Sequence, residues 1–482
     1  GNTNLISLIA NLYFKKGVSL LNDEKMKSLT EVSNFVSDTV NRTPFPYAPY
    51  VGSMAFTHKG GMHASAVNKY VDSYQHMNPE KVGNLSNITV SEKEADDNIK
   101  IGIPTILSGR VAQLGISVTN AIKMAVNKFN EEGGLDGRKI ELIIRDSRAK
   151  PDEAARVCRD FINSDNVDVI VNAEASGASF AVQEVIRESG TLCLHTVSET
   201  TSLTADPSIR AWNAFRFSRQ GIHDAVGSAK YAAKIIEKKG IKKWMSINPD
   251  YAYGRDSDDT FFWALEKFAP GFELIGKGWP KIFQPDYTEV ITKIAREKPD
   301  AIYSSLWGGD LVSFIDQASL YGIFKNTEFF AINLADYTTM NAIRNLPKGL
   351  HSATRYVAAW PDTEENRAYD KSYTDLYGDH PTNWSWEASI AMDYLINALK
   401  ETGGTDNKKL AEALKGKTSP SFMGVGEGNT VTIRDRDQTI TNYSIGWGTT
   451  IPKEPFIQDV QAANWDTIEN LEEEWLTNKG WI

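Results

Sequence analysis

The side chains best suited to chemistry fall into two groups. Near the amino terminus His58, His63 and His76 stand close together, and a set of imidazoles is a usual start for a zinc site. They have no carboxylate or thiolate neighbours at ligand spacing, so no metal site is expected. The second group is suited to recognition. In NAEASGAS (Asn172–Ser179), Glu174, Ala175 and Ser176 precede a helical stretch. Backbone N–H groups there, with the Ser176 hydroxyl, could receive a carboxylate, or Ser176 could simply cap the helix. Ser198 and Glu199 stand in a similar loop, Val197–Thr200. Paired carboxylates such as Glu174 and Glu199 favour a cationic or amine-bearing ligand and disfavour a dicarboxylate. Alternatively each turns to solvent or pairs with Arg187 or Arg210. Tyr253 and Trp307 offer flat apolar faces with a polar edge, fit to wall a cleft or to fill a core.

These residues sit in a regular rhythm. Lys100–Ile103, Ile140–Arg145, Val167–Val171 and Leu192–His195 are short β-rich runs, and Ser117–Glu131, Asp152–Asn163 and Ser179–Glu188 between them have helical spacing. Strands alternating with helices predict a parallel sheet covered on both faces. The rhythm restarts with Trp244–Ile247, Gly254–Phe268, Glu273–Gly276, Thr288–Arg296, Ala301–Ser304, Asp310–Tyr321 and Glu328–Ile332. Two such sets predict two lobes, with a crevice between the carboxyl ends of their strands. Helices are expected at Asn366–Tyr377 and Trp386–Thr402, and strands at Thr430–Ile433 and Ile440–Trp447. Residues 98–218 and 350–430 are then assigned to lobe 1, and 219–349 and 431–482 to lobe 2, joined by a hinge.

Composition narrows the function. A net charge of −10 argues against nucleic acid, which needs clustered Lys and Arg. No apolar run approaches the roughly 18–20 residues that span a bilayer, so no direct membrane insertion is expected. Cys158 and Cys193 read as buried thiols. The chain starts without Met or a signal-peptide pattern, and so reads as beginning mid-protein.

Residues 97–482 resemble the type I periplasmic solute-binding proteins of ABC transporters, in the branched-chain amino acid and amide subclass. The likeness rests on SGRVAQLG (Ser108–Gly115), NEEGGLDGRKIEL (Asn130–Leu142), RDSRAKPDEAARV (Arg145–Val157), DYAYGRD (Asp250–Asp256) and WSWEASIAMDYLINAL (Trp384–Leu399). It implies a non-enzymatic two-lobed receptor, periplasmic or extracellular, that closes on a small polar solute and presents it to a membrane permease. No cofactor is implied. The implied ligand contacts are Glu174, Ala175, Ser176, Ser198, Glu199, Tyr253, Trp307, Asn333, Asp336 and Trp386, with Trp384 beside them. The sequence departs from the subclass in carrying Glu at 174 and 199, and Asn333 where an acid receives the α-ammonium. An amino acid, amide or related amine is the expected solute class.

Residues 1–84 resemble the end of the catalytic region of citramalate synthase and 2-isopropylmalate synthase. The matching runs are GNTNL (Gly1–Leu5), LTEVSNFVSDTVN (Leu29–Asn41), PFPYAPYVGSMAFTHKGGMHASAV (Pro44–Val67) and SYQHMNPEKVGN (Ser73–Asn84). By resemblance His63 matches a catalytic histidine, Tyr74 its partner, and Asn2 the loop near the metal. Yet the chain has no Arg-Asp-Gly loop and no His-X-His pair. The alternative reading, an acyltransferase of this type, is therefore an inactive one lacking its metal-bearing barrel. The polar stretch 85–97 reads as a linker, and the whole as a fusion of a cytosolic-type fragment with an exported receptor.

Overall fold

The computed structural model describes residues 3–40, 42, 44–58, 77–85, 87–88, 98–109 and 111–482. Two compact units emerge, Gly1–Asp97 and Asn98–Ile482.

The first unit has helices Leu5–Lys16, Asp23–Met26 and Leu29–Thr39, and a short parallel pair, β1 (Thr57–His58) with β2 (Asn87–Ile88). Helices Asp23–Met26 and Leu29–Thr39 are separated at Lys27–Ser28. There the turn Pro79–Val82 docks: Thr30 Oγ1 donates to the Val82 carbonyl at 2.6 Å, and Gly83 approaches the Lys27 carbonyl so closely that a Cβ would stand 2.0 Å from it. A small core of Ala10, Met26, Leu29, Val51, Phe56 and Val82 holds the unit, while Phe35, Val36 and Val40 remain more than half exposed. Asn2, His63, Tyr74 and His76 lie outside the described residues, as does the side chain of His58.

In the second unit the strands in chain order are β3 (Ile99–Thr105), β4 (Ile140–Asp146), β5 (Val169–Asn172), β6 (Leu192–His195), β7 (Ala214–Arg216), β8 (Lys243–Ile247), β9 (Glu273–Gly278), β10 (Ala301–Ser304), β11 (Glu328–Asp336), β12 (His351–Tyr356), β13 (Thr418–Pro420), β14 (Thr430–Arg434), β15 (Thr439–Thr441), β16 (Gly446–Thr450) and β17 (Ile457–Ala462). They form two sheets, ordered β13-β14-β15-β7-β6-β5-β3-β4 and β17-β16-β12-β11-β10-β8-β9. Pairing is parallel through β15-β7-β6-β5-β3-β4 and through β12-β11-β10-β8-β9, with antiparallel strands added at one end of each. Central strands such as VIVN and LCLH are buried throughout because helices cover both faces, which is why they read as unbroken apolar runs.

The lobe boundaries differ from those expected. β12 joins the second sheet, although 350–430 was assigned to lobe 1. β14 and β15 complete the first sheet, although 431–482 was assigned to lobe 2. The run Ile440–Trp447, expected as one strand, is split between the sheets, and Asn442 breaks it with a left-handed φ of 61°. The chain crosses between sheets at residues 217–220, 357–363 and 442–445.

Both lobes open with the same device. After β3 the helix Ala112–Glu131 begins so close to the preceding loop that a Cβ on Gly115 would lie 2.1 Å from the Ile106 carbonyl oxygen. After β8 the helix Ala252–Phe268 does the same, with a Cβ on Gly254 falling 1.9 Å from the Pro249 oxygen. The glycines of SGRVAQLG and DYAYGRD thus allow each first helix to seat against its strand. Gly115→Ala and Gly254→Ala are each expected to cost about 1–3 kcal/mol, because backbone rather than a flexible side chain must move. Chemical denaturation with unchanged m-value checks this.

Candidate functional site

The carboxyl ends of both sheets face a cavity, partly open to solvent, with about 320 Å³ of empty space. From the first lobe it is lined by Leu114, Ala175, Ser176, Val197, Glu199 and Trp384. From the second it is lined by Tyr251, Tyr253, Trp307, Asn333 and Arg355. In each sheet the order reverses beside the first strand, β5-β3-β4 and β10-β8-β9, and the cavity lies at these switch points.

Among the described residues, three helices start at this cavity with the N-cap residue on its wall. They are Ser176–Ser189 after Ala175, Ala252–Phe268 after Tyr251, and Gly308–Leu320 after Trp307, and no side chain caps any of them. Their partial positive charges converge on one space. Ser176 is the first helical residue and accepts from the Ser198 hydroxyl at 3.2 Å, so it does not act as the cap.

Glu199 is held from several directions. The buried Arg216 donates to the carbonyls of Ser198 (2.6 Å) and Thr200 (2.7 Å) and to Thr204 Oγ1 (3.0 Å), fixing the loop. Burial pulls the Arg216 guanidinium down to about 10, partly offset by Asp437 and Asp256. Glu199 Oε1 accepts from Arg355 Nη2; Oε2 is buried and has no partner among the described residues. Arg355 Nη1 reaches Asp224 Oδ2 at 3.0 Å, and Asp224 also takes both ends of Arg219, whose Nη1 holds the Ser444 carbonyl in a crossing segment at 3.1 Å. Burial works against charge on Arg355, but Glu199 and Asp224 hold it well above the usual guanidinium range. Burial pushes the Glu199 carboxyl up, with Arg355 opposing.

Of the residues singled out in the sequence, Ala175, Ser176, Glu199, Tyr253, Trp307 and Asn333 line the cavity, as does Trp384. Glu174, Ser198, Asp336 and Trp386 do not. The Glu174 carboxyl is buried near Asp146, Ser147 and Cys158, and burial first, then Asp146, pushes it up to about 8, with Ser147 opposing. Asp336 accepts from the Asn383 backbone N–H at 2.8 Å and from Thr338 at 3.1 Å, joining the second lobe to the start of helix Asn383–Thr402. Trp386 is fully buried, its indole donating to the Arg355 carbonyl at 3.2 Å. Asn333 is engaged within the lobe, its amide donating to Tyr253 Oη (3.0 Å) and the Ser305 carbonyl (3.1 Å).

Sequence reasoning missed Leu114, Tyr251 and Arg355. Arg355 had no local signal: it meets Glu199 across 156 residues. The partners considered for the glutamates are engaged elsewhere. Arg187 bonds the Ile209 carbonyl and pairs with Glu184, and Arg210 bonds the Arg436 carbonyl. Tyr251, two residues before Tyr253 in DYAYGRD, was legible as an aromatic beside the chosen one; its hydroxyl accepts from Trp307 Nε1 at 3.0 Å. Among the described residues no cluster of His, Cys, Asp and Glu could hold a metal ion, and no helix is long and apolar enough to cross a membrane.

Residues 98–446 match the family model described as periplasmic binding protein, and the chain belongs to that family. A second model, homocitrate synthase post-HMGL domain-like, matches residues 50–133. Leu/Ile/Val-binding protein homolog 4 of Brucella abortus is 24% identical over 345 residues, covering 68% of this chain and 79% of its own. A solute-binding protein of an ABC transporter from Rhodopseudomonas palustris BisB5, solved with 3,4-dihydroxybenzoic acid, superposes with a TM-score of 0.68. It is 24% identical, over 76% of this chain and 97% of its own, and shows the shared two-lobed fold. The (R)-citramalate synthase of Aquifex aeolicus is 50% identical over 100 residues, 20% of this chain. The chain spans about a fifth of that enzyme's length, 19%.

Proposed function

We propose that residues 98–482 form an extracellular or periplasmic receptor that captures a small amino acid, amide or related amine by lobe closure and passes it to an ABC-transporter permease. The observation that carries this reading is the cavity itself, walled by both sheets, where three uncapped helix starts converge. Such ends suit a carboxylate, and the surrounding Leu114, Val197, Tyr251, Tyr253, Trp307 and Trp384 suit an apolar or aromatic remainder. A free aromatic carboxylate is the second reading, favoured by the four rings on the wall.

A thermal-shift screen of amino acids, amides, polyamines and aromatic acids tests the function. A solute at 100 times its dissociation constant adds roughly 2.7 kcal/mol, enough to raise the melting temperature by several degrees. A rise confined to amino acids or amines supports the main reading. A rise confined to aromatic acids supports the second, and a flat response to all four sets counts against both.

A further inference from the structure

We infer that Glu199 is the acceptor for an ammonium group of the ligand, set in place by Arg355, so that this chain selects amine-bearing solutes over acids of the same skeleton. This rests on the receptor reading above and names the group that decides its substrate class.

Among the described residues lining the cavity, Glu199 is the one carboxylate. Its two oxygens are in different situations: Oε1 is occupied by Arg355, while Oε2 is buried without a partner among the described residues. A buried carboxylate oxygen left unbonded is costly, and a donor arriving with the ligand removes that cost. The surroundings favour a cation as that donor. Tyr251 and Tyr253 are close enough to feel the Glu199 charge, and their ring centres are 6.0 Å apart. Trp307 and Trp384 add a second ring pair at 5.9 Å, drawn from opposite lobes. An ammonium between a carboxylate and aromatic faces gains from both.

The nearby acceptors are already engaged. Asn333 Oδ1 accepts from Tyr253 Oη at 3.4 Å, Ser176 Oγ accepts from the Ser198 hydroxyl at 3.2 Å, and the Asp336 carboxylate accepts from Asn383 and Thr338. Arg355 acts as a positioning residue: shared with Asp224, and carried on backbone held by Trp386, it leaves Glu199 one oxygen to offer.

Isothermal titration with matched probes tests this on the full chain. The probes are phenylalanine, 3-phenylpropionate, 2-hydroxy-3-phenylpropionate, 2-phenylethylamine and N,N,N-trimethylphenylalanine, with the corresponding leucine series. The amine-bearing members are expected to bind about 100-fold or more tightly than their amine-free counterparts, as in sites built around one polar group. Trimethylation, which removes every N–H, is expected to cause a similar loss in the wild-type chain, so the test does not depend on a variant that folds. Glu199→Gln keeps an acceptor for Arg355; it should weaken the amines about 100-fold and leave the amine-free acids within about threefold. Equal affinity for acid and amino acid, or an equal loss for both in Glu199→Gln, overturns the assignment. If the acids bind and the amines do not, the receptor reading survives without this inference. If neither series binds, both fall.

Discussion

Arg355→Met is expected to lower the stability of residues 98–482 by about 3–5 kcal/mol, the cost of removing one partner from a buried ion network. Arg355 is 3% exposed and joins Glu199, from the first lobe, to Asp224, on the helix Gly221–Lys239 of the second. Met restores much of the side-chain volume but none of the charge. Asp224 keeps Arg219, with which it is fully buried, so it stays compensated. Glu199 does not: both its oxygens are then buried without a donor, and it takes up a proton or forces the loop to move. The loss should appear as a lower denaturation midpoint and a melting temperature several degrees down. It should also be non-additive with Glu199→Gln, since the two residues form one unit. A fall of less than about 1 kcal/mol would place the network among surface-like ion pairs.

The second large effect depends on pH. Glu174 is fully buried, and its carboxyl titrates at about 8 rather than the ordinary 4.5 because burial disfavours its charged form. Between those values the folded chain holds a proton that the unfolded chain has released. Stability therefore falls as pH rises, by about 1.4 kcal/mol per pH unit in that window. The stabilisation is fully present below about 4.5 and is gone once the pH passes about 8. Glu174→Gln is close in shape and does not titrate, so the difference between wild type and variant isolates this one group. The two stability curves should run parallel at low pH and diverge progressively from pH 5 to 8, with the variant the more stable at the upper end. Urea denaturation at unit pH steps measures it; parallel curves throughout would mean that Glu174 is solvated in the folded state.

Both results concern glutamates that look alike in sequence. Each follows a strand of the first sheet, and each was expected on the wall of the cleft. Only Glu199 is there. Glu174 sits instead near Ser147 and Cys158, so the expected carboxylate pair does not form, and the site offers one carboxylate already tied to an arginine.

Much of the architecture was legible in the sequence. The alternation of short apolar runs with helical periods specified two parallel sheets, because a strand buried on both faces must be apolar at nearly every position and a covering helix on only one side. The break before Asn98 was legible as a change of composition, and a crevice was expected at the strand carboxyl ends; the loops bearing Ser176, Glu199, Tyr253, Trp307 and Asn333 were named only through the resemblance to solute-binding proteins. The tertiary structure decided the rest. Which lobe received β12, β14 and β15 depended on hydrogen-bond pairing across distant segments, which local propensity does not encode. Whether Glu174 or Glu199 met the cavity depended on side-chain direction at a strand end. And Arg355 entered the site only because two lobes brought residues 156 positions apart into one buried ion pair, a contact set by long-range packing and not by spacing along the chain.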